Sequence, residues 1–207
     1  MCVLVKSSGR EDFYFDKEKY DHGHEAPNFR KLADKVAAAD HGSDKGFEDA
    51  KLIIEAIKSE GVASVGVAGF CWGGKVVTEL AKSKLIEAVV LLHPSFVSQD
   101  DINGVDIPIS ILGAKIDMCS PPELVKHFEE ILTANSVVRF IFLSFVDISI
   151  LYFFLIQVFV KMFSKVSHGW TVRYNPEDAE EAKAVEEAHQ DLLDWLAEHL
   201  KWEIFVT

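Results

Sequence analysis

Three residues of this chain have side chains that together do nucleophilic chemistry: Cys71, Asp117 and His168. A thiolate can attack an electrophilic carbon, an imidazole can take the thiol proton, and a carboxylate can orient the imidazole. Cys71 sits in Gly69-Phe70-Cys71-Trp72-Gly73, after the apolar run VASVGVAGF and before GGKVVTELAKS. A G-x-nucleophile-x-G turn from strand to helix is so tight that its flanks must be small, and it pushes the central side chain outward. The helix dipole favours the thiolate there. The backbone N–H of Trp72 is placed to serve as one oxyanion donor.

Asp117 follows the apolar stretch IPISILGA at once, and His168 follows VFVKMF. Nucleophile, acid and histidine thus occur in the chain order of the α/β-hydrolases, each on a loop after its own strand. Plainer roles exist for the same residues. Cysteines are usually buried and structural. Asp117 could serve only as a cap for a helix near Pro121. His93, after VVLL, lies at another strand end and is read as lining the site. Cys119 is read as a passive neighbour. His22 and His24 form a loop pair without further ligands, so no metal and no cofactor are expected.

The elements that must position these residues alternate between strand and helix. Helical periodicity joins Phe47, Ala50, Ile53, Ile54 and Ile57, with Gly61 as a stop. VASVGVAGF, EAVVLLHP, IPISILGA and VFVKMF read as strands. GGKVVTELAKS and PPELVKHFEEIL read as helices, and DHGSDKG as a loop. A last helix runs through NPEDAEEAKAVEEAHQDLLDWLAEHL, capped by Asn175 with Pro176 in its first turn. Its inward positions are Val185, Leu192, Leu196 and Leu200. This pattern predicts one domain with a mainly parallel sheet covered by helices on both faces. Residues 1–26 are polar and irregular, and Pro27 could open a helix through Phe29, Leu32, Ala33 and Val36.

The chain has 207 residues and a formal net charge of −12, with scattered basic residues. Nucleic acid is not expected as a partner, because phosphate binding needs clustered positive charge. Three cysteines do not make a disulfide framework. The start MCVLVKSSGRED does not read as a signal peptide, so a cytoplasmic location is expected. One segment breaks the pattern: residues 140–160 hold a single charge, Asp147, and are apolar enough to suggest a membrane span. A span there would put Asp117 and His168 on opposite sides of a bilayer, so the segment is expected to stay with the domain.

GFCWGGK, LLHPSF, ILGAKID, SPPEL, HGWTVRYN and EEAHQDLLDWL resemble the dienelactone hydrolase (carboxymethylenebutenolidase-like) family, and its plant-type, glucanase-named members in particular. The resemblance covers about residues 23–136 and 158–201. It implies a Cys-Asp-His triad at Cys71, Asp117 and His168, hydrolysis of a small-molecule ester or lactone through an acyl-enzyme, and a substrate carboxylate held by Arg173. It also implies a second oxyanion N–H from the turn at Gly23 and His24.

Three departures stand out. The strand expected before that turn is replaced by DFYFDKEKYDH. A strand and loop expected between RKLADKVAAA and DHGSDKG are missing. Residues 137–157 have no counterpart and read as an apolar insertion. A binding remnant lacking full oxyanion stabilisation, a membrane-anchored protein and a glycoside hydrolase are the competing readings.

Overall fold

The computed structural model describes residues 3–7, 42–143 and 156–200. Five strands form its sheet in the order β1-β2-β3-β4-β5. They are β1 (Val3–Ser7), β2 (Val65–Phe70), β3 (Ala88–Leu92), β4 (Ile109–Ile116) and β5 (Val158–Ser167). β2 to β5 are parallel, while β1 pairs antiparallel with β2, Val3 opposite Gly69. The helices are α1 (Ser43–Ser59), α2 (Gly73–Ala81), α3 (Gln99–Asn103), α4 (Pro122–Leu143) and α5 (Ala179–His199).

Strand residues alternate between two faces, and each face is covered. Val67, Val89, Leu91, Ile109 and Ile111 belong to one buried cluster, with Ile54 of α1, Val76 and Leu80 of α2, and Val125, Phe128 and Leu132 of α4. Ala68, Val90, Leu92 and Leu112 belong to the other, with Val185, Leu192 and Leu196 of α5. Both faces being dry explains why the central strands read as unbroken apolar runs.

Several local expectations are corrected. β1 arises where no strand was expected, because VLVKS can complete its backbone hydrogen bonds along the free edge of β2. The N-terminal part therefore does supply a strand. α1 starts at Ser43, so most of the expected DHGSDKG loop is helix, and Ile53 faces outward. Asp178, not Asn175, caps α5, accepting from the N–H groups of Glu180 and Glu181. Asn175 instead accepts from Glu177 N at 3.1 Å in the preceding turn. The short α3 shows no period in the sequence; Ser98 and Asp101 close a capping box at its start. Pro27 to Val36 lie outside the described residues.

The expected insertion also has different edges. α4 continues to Leu143, and Ile156 is already core while Gln157 O accepts from Ile109 N at 3.0 Å. Ser136 Oγ donates to Ile156 O at 3.1 Å, so the chain before and after the segment is in direct contact. Among the described residues no helix is long and apolar enough to cross a membrane.

Two outcomes are expected from this packing. Excising residues 138–154 with a short glycine link should leave a folded sheet, read as an unchanged far-UV strand signal and a cooperative melt; loss of the melt would make the segment part of the core. Gly69→Ala should cost about 1–3 kcal/mol in denaturant unfolding, because its Cβ would collide with the Gly73 carbonyl and Val77.

Candidate active site

The turn at Cys71 is built by backbone constraint. β2 ends at Phe70, α2 begins at Gly73, and Cys71 between them has φ 53°. This left-handed conformation is strained for a residue with a side chain. It is held from three sides: Cys71 N donates to Leu92 O at 3.1 Å, and Cys71 O accepts from Gly74 N at 3.0 Å and Ser95 N at 2.9 Å. Gly69 lets the start of α2 close onto β2, and Gly74 lets Pro94 approach, since a Cβ there would lie 2.8 Å from Pro94 Cβ.

Asp117 stands at the end of β4 and His168 at the end of β5. The His168 N–H donates to Ile116 O at 3.2 Å, which locks the two loops together. His168 Nδ1 lies 2.8 Å from Asp117 Oδ2, and His168 Nε2 lies 3.2 Å from Cys71 Sγ. The imidazole thus bridges carboxylate and thiol. Asp117 is fixed as well: its carboxylate accepts from Cys119 N at 2.7 Å, Ser120 N at 3.1 Å and Ser120 Oγ at 3.2 Å. The capping role considered for Asp117 is therefore real, but it holds a turn and leaves Oδ2 facing His168.

Ser95 was not singled out from the sequence. Its hydroxyl is buried and lies 3.5 Å from both Cys71 Sγ and His168 Nε2. A serine three residues past a strand end carries no signal of its own. Its position depends on how the β3 loop folds over the turn at Cys71.

The electrostatics follow from these contacts. Burial by itself would raise the Cys71 thiol pKa, but the His168 and Ser95 hydrogen bonds, the His168 charge and the Trp72 N–H outweigh it and bring it below the ordinary value. Burial opposes a charged His168 too, yet its bonds to Asp117 and Cys71 raise its pKa to about 9. Burial likewise works against an ionised Asp117, and the His168 hydrogen bond, followed by its charge and the two turn N–H groups, keeps its pKa low. These shifts favour the thiolate over the thiol and the imidazolium over the imidazole.

The other expected site residues fall as follows. Trp72 caps α2, and its N–H acts on the Cys71 sulfur. His93 is fully buried. Its Nε2 is 2.7 Å from Thr171 Oγ1, and its ring meets His168 edge-on at 5.1 Å, so it packs behind the imidazole. Burial drives its pKa down to about 3, so it is neutral. Arg173 is exposed, with its guanidinium over Gly169, next to His168. Gly23, His24 and His22 lie outside the described residues. Asp117, Cys119 and His168 present ligand atoms within 4.8 Å of one another, but the carboxylate already accepts four hydrogen bonds, a poor setting for a metal ion. A surface cavity lined by Phe47, Glu79 and Lys82 lies toward the far end of α2, away from this cluster.

The family model described as "Dienelactone hydrolase family" matches residues 11–144. An endo-1,3;1,4-beta-D-glucanase of Zea mays is 38% identical over 144 residues, covering 57% of this chain and 47% of that protein. A carboxymethylenebutenolidase homolog of Xenopus tropicalis is 26% identical over 192 residues, covering 91% of this chain and 69% of that protein. The chain spans about half the length of most curated relatives it matches. In fold, a putative dienelactone hydrolase from Klebsiella pneumoniae superposes with a TM-score of 0.59 at 18% identity, over 85% of this chain and 68% of that one.

The pH response of the thiol follows with its sign. Cys71 is expected to react with iodoacetamide at pH values below the ordinary thiol pKa, since His168 stays protonated up to about 9. His168→Ala should move the inflection of the alkylation rate upward, because burial then goes unopposed by the imidazole. Ser95→Ala should move it upward by less. Unchanged profiles in both variants would show that neither side chain acts on the sulfur.

Proposed function

Because the chain belongs to the dienelactone hydrolase family, we propose that it hydrolyses a small-molecule ester or lactone with Cys71 as nucleophile, His168 as acid and base, and Asp117 as the group that orients His168. The observation that carries this reading is the bridging imidazole, 3.2 Å from the thiol sulfur and 2.8 Å from the carboxylate.

The Cys71 thiolate adds to the carbonyl carbon, and the carbonyl electron pair moves onto oxygen. The Trp72 N–H receives that oxyanion. Collapse breaks the carbon–oxygen bond to the leaving alcohol, which takes its proton from His168. Neutral His168 then removes a proton from water as the water adds to the thioester. The second collapse releases the carboxylic acid and restores the thiolate–imidazolium pair. Asp117 remains ionised throughout and holds Nδ1–H toward itself. Arg173, whose guanidinium lies beside Gly169, receives a carboxylate carried by the substrate.

Two other readings make different demands. A binding remnant would keep the cluster but lack an oxyanion donor, which typically costs about 10²–10³ in rate. The maize relative bears a glucanase name, but glycoside hydrolysis usually needs two carboxylates flanking the bond. Here the carboxylate beside the thiol is held by four hydrogen bonds.

With p-nitrophenyl acetate a burst of nitrophenolate matching the enzyme concentration is expected, followed by steady turnover. Cys71→Ala should abolish both phases, and His168→Ala should lower turnover by about 10²–10⁴. No reducing sugar should be released from mixed-linkage β-glucan. Ester turnover that survives Cys71→Ala would overturn the assignment.

A further inference from the structure

The exposed apolar side chains are not spread evenly. Nine large ones are exposed among the described residues, and five sit next to the cluster in the chain: Ile116 at the end of β4, and Phe96, Met118, Val172 and Tyr174 on the loops after β3, β4 and β5. Phe96 directly follows Ser95. Ile116 and Met118 bracket Asp117. Val172 and Tyr174 flank Arg173, on the loop that begins at His168. Of the other four, Leu52 and Ile53 lie on α1, and Phe159 and Met162 on β5.

Two features separate this group from ordinary surface exposure. Met118 is 89% exposed although Asp117 beside it is buried, so that one turn hides its carboxylate and presents its thioether. Phe96 has φ 61° and is 52% exposed. A bulky aromatic in the left-handed region is strained, and such strain concentrates at sites that bind or react. Ser95 N, bonded to Cys71 O, holds the loop that carries this ring.

Small-molecule sites are mostly apolar walls with a few polar groups that fix orientation. We propose that Phe96, Ile116, Met118, Val172 and Tyr174 form an apolar rim that takes the hydrocarbon part of the substrate, so that the site selects esters with an extended alkyl or aryl acyl group over short ones. The proposal rests on the ester-hydrolase reading for its substrate, and it deepens that reading by naming the acyl class. The occupant is a substrate and not an anionic lipid surface, because the chain carries a net charge of −12.

Each methylene taken up by such a rim should raise kcat/KM by about two- to fourfold. The test compares p-nitrophenyl acetate, butyrate and hexanoate below their micellar concentrations. From acetate to hexanoate a rise of about tenfold or more is expected. Met118→Ser and Phe96→Ser should each flatten the series, mainly through KM, while Leu52→Ser on α1 should keep it.

A second arm does not need turnover: alkylation of Cys71 by iodoacetamide and by its N-hexyl derivative. The hexyl reagent should react several-fold faster with the native chain, and the gain should shrink in the same two variants. If no ester is hydrolysed but the hexyl preference holds, the rim stands and the hydrolase reading fails. A flat ester series with equal alkylation rates would overturn the rim. So would a chain-length preference that persists in both rim variants. Co-sedimentation with neutral phosphatidylcholine vesicles, without any chain-length preference, would overturn it in favour of a surface-docking face.

Discussion

The hydrogen bond between His168 and Asp117 is the constraint on which the site depends. It joins the loops at the ends of two neighbouring parallel strands, and the His168 N–H to Ile116 O bond reinforces it. Its effect passes through the imidazole to Cys71. Burial would otherwise leave the thiol protonated and inert. The His168 hydrogen bond is the largest of the effects that reverse this, and His168 stays charged because Asp117 faces its other nitrogen. The carboxylate in turn cannot swing away, because two N–H groups and a hydroxyl of its own turn hold it.

The sheet supplies the rigidity behind this arrangement. β3, β4 and the turn after β2 each place one loop at the same edge, and parallel pairing sets all of them at the carboxyl end. His93 shows how this edge is filled. It is buried, neutral and bonded to Thr171, so it fixes the loop beyond His168 from behind. The strained turn at Cys71 persists because Leu92, Gly74 and Ser95 all bond to its backbone.

The departures from the family pattern fall at the margins of this frame. The sheet keeps an antiparallel edge strand at β1, and α4 and β5 meet at Ser136 and Ile156, on either side of the apolar segment. A block placed between two elements that already touch can be accommodated without moving β5 relative to β4. His168 therefore reaches Asp117 even though 50 residues of chain lie between them.

By itself the sequence determined the strand and helix alternation and the order of Cys71, Asp117 and His168. These are local properties: unbroken apolar runs mark buried strands, small residues mark the tight turn, and helical periodicity marks α1 and α5. It could not reveal β1, whose five residues become a strand only beside β2, nor α3, which is too short to show a period. It did not show that His93 is buried against His168, because a histidine at a strand end looks the same whether it points to solvent or into the core. It was silent on Ser95, and on the exposure of Phe96, Met118 and Tyr174 on the loops of the cluster. Those placements were decided by the tertiary structure, because they depend on distances between loops that are far apart in the chain, and the parallel register of the sheet sets those distances.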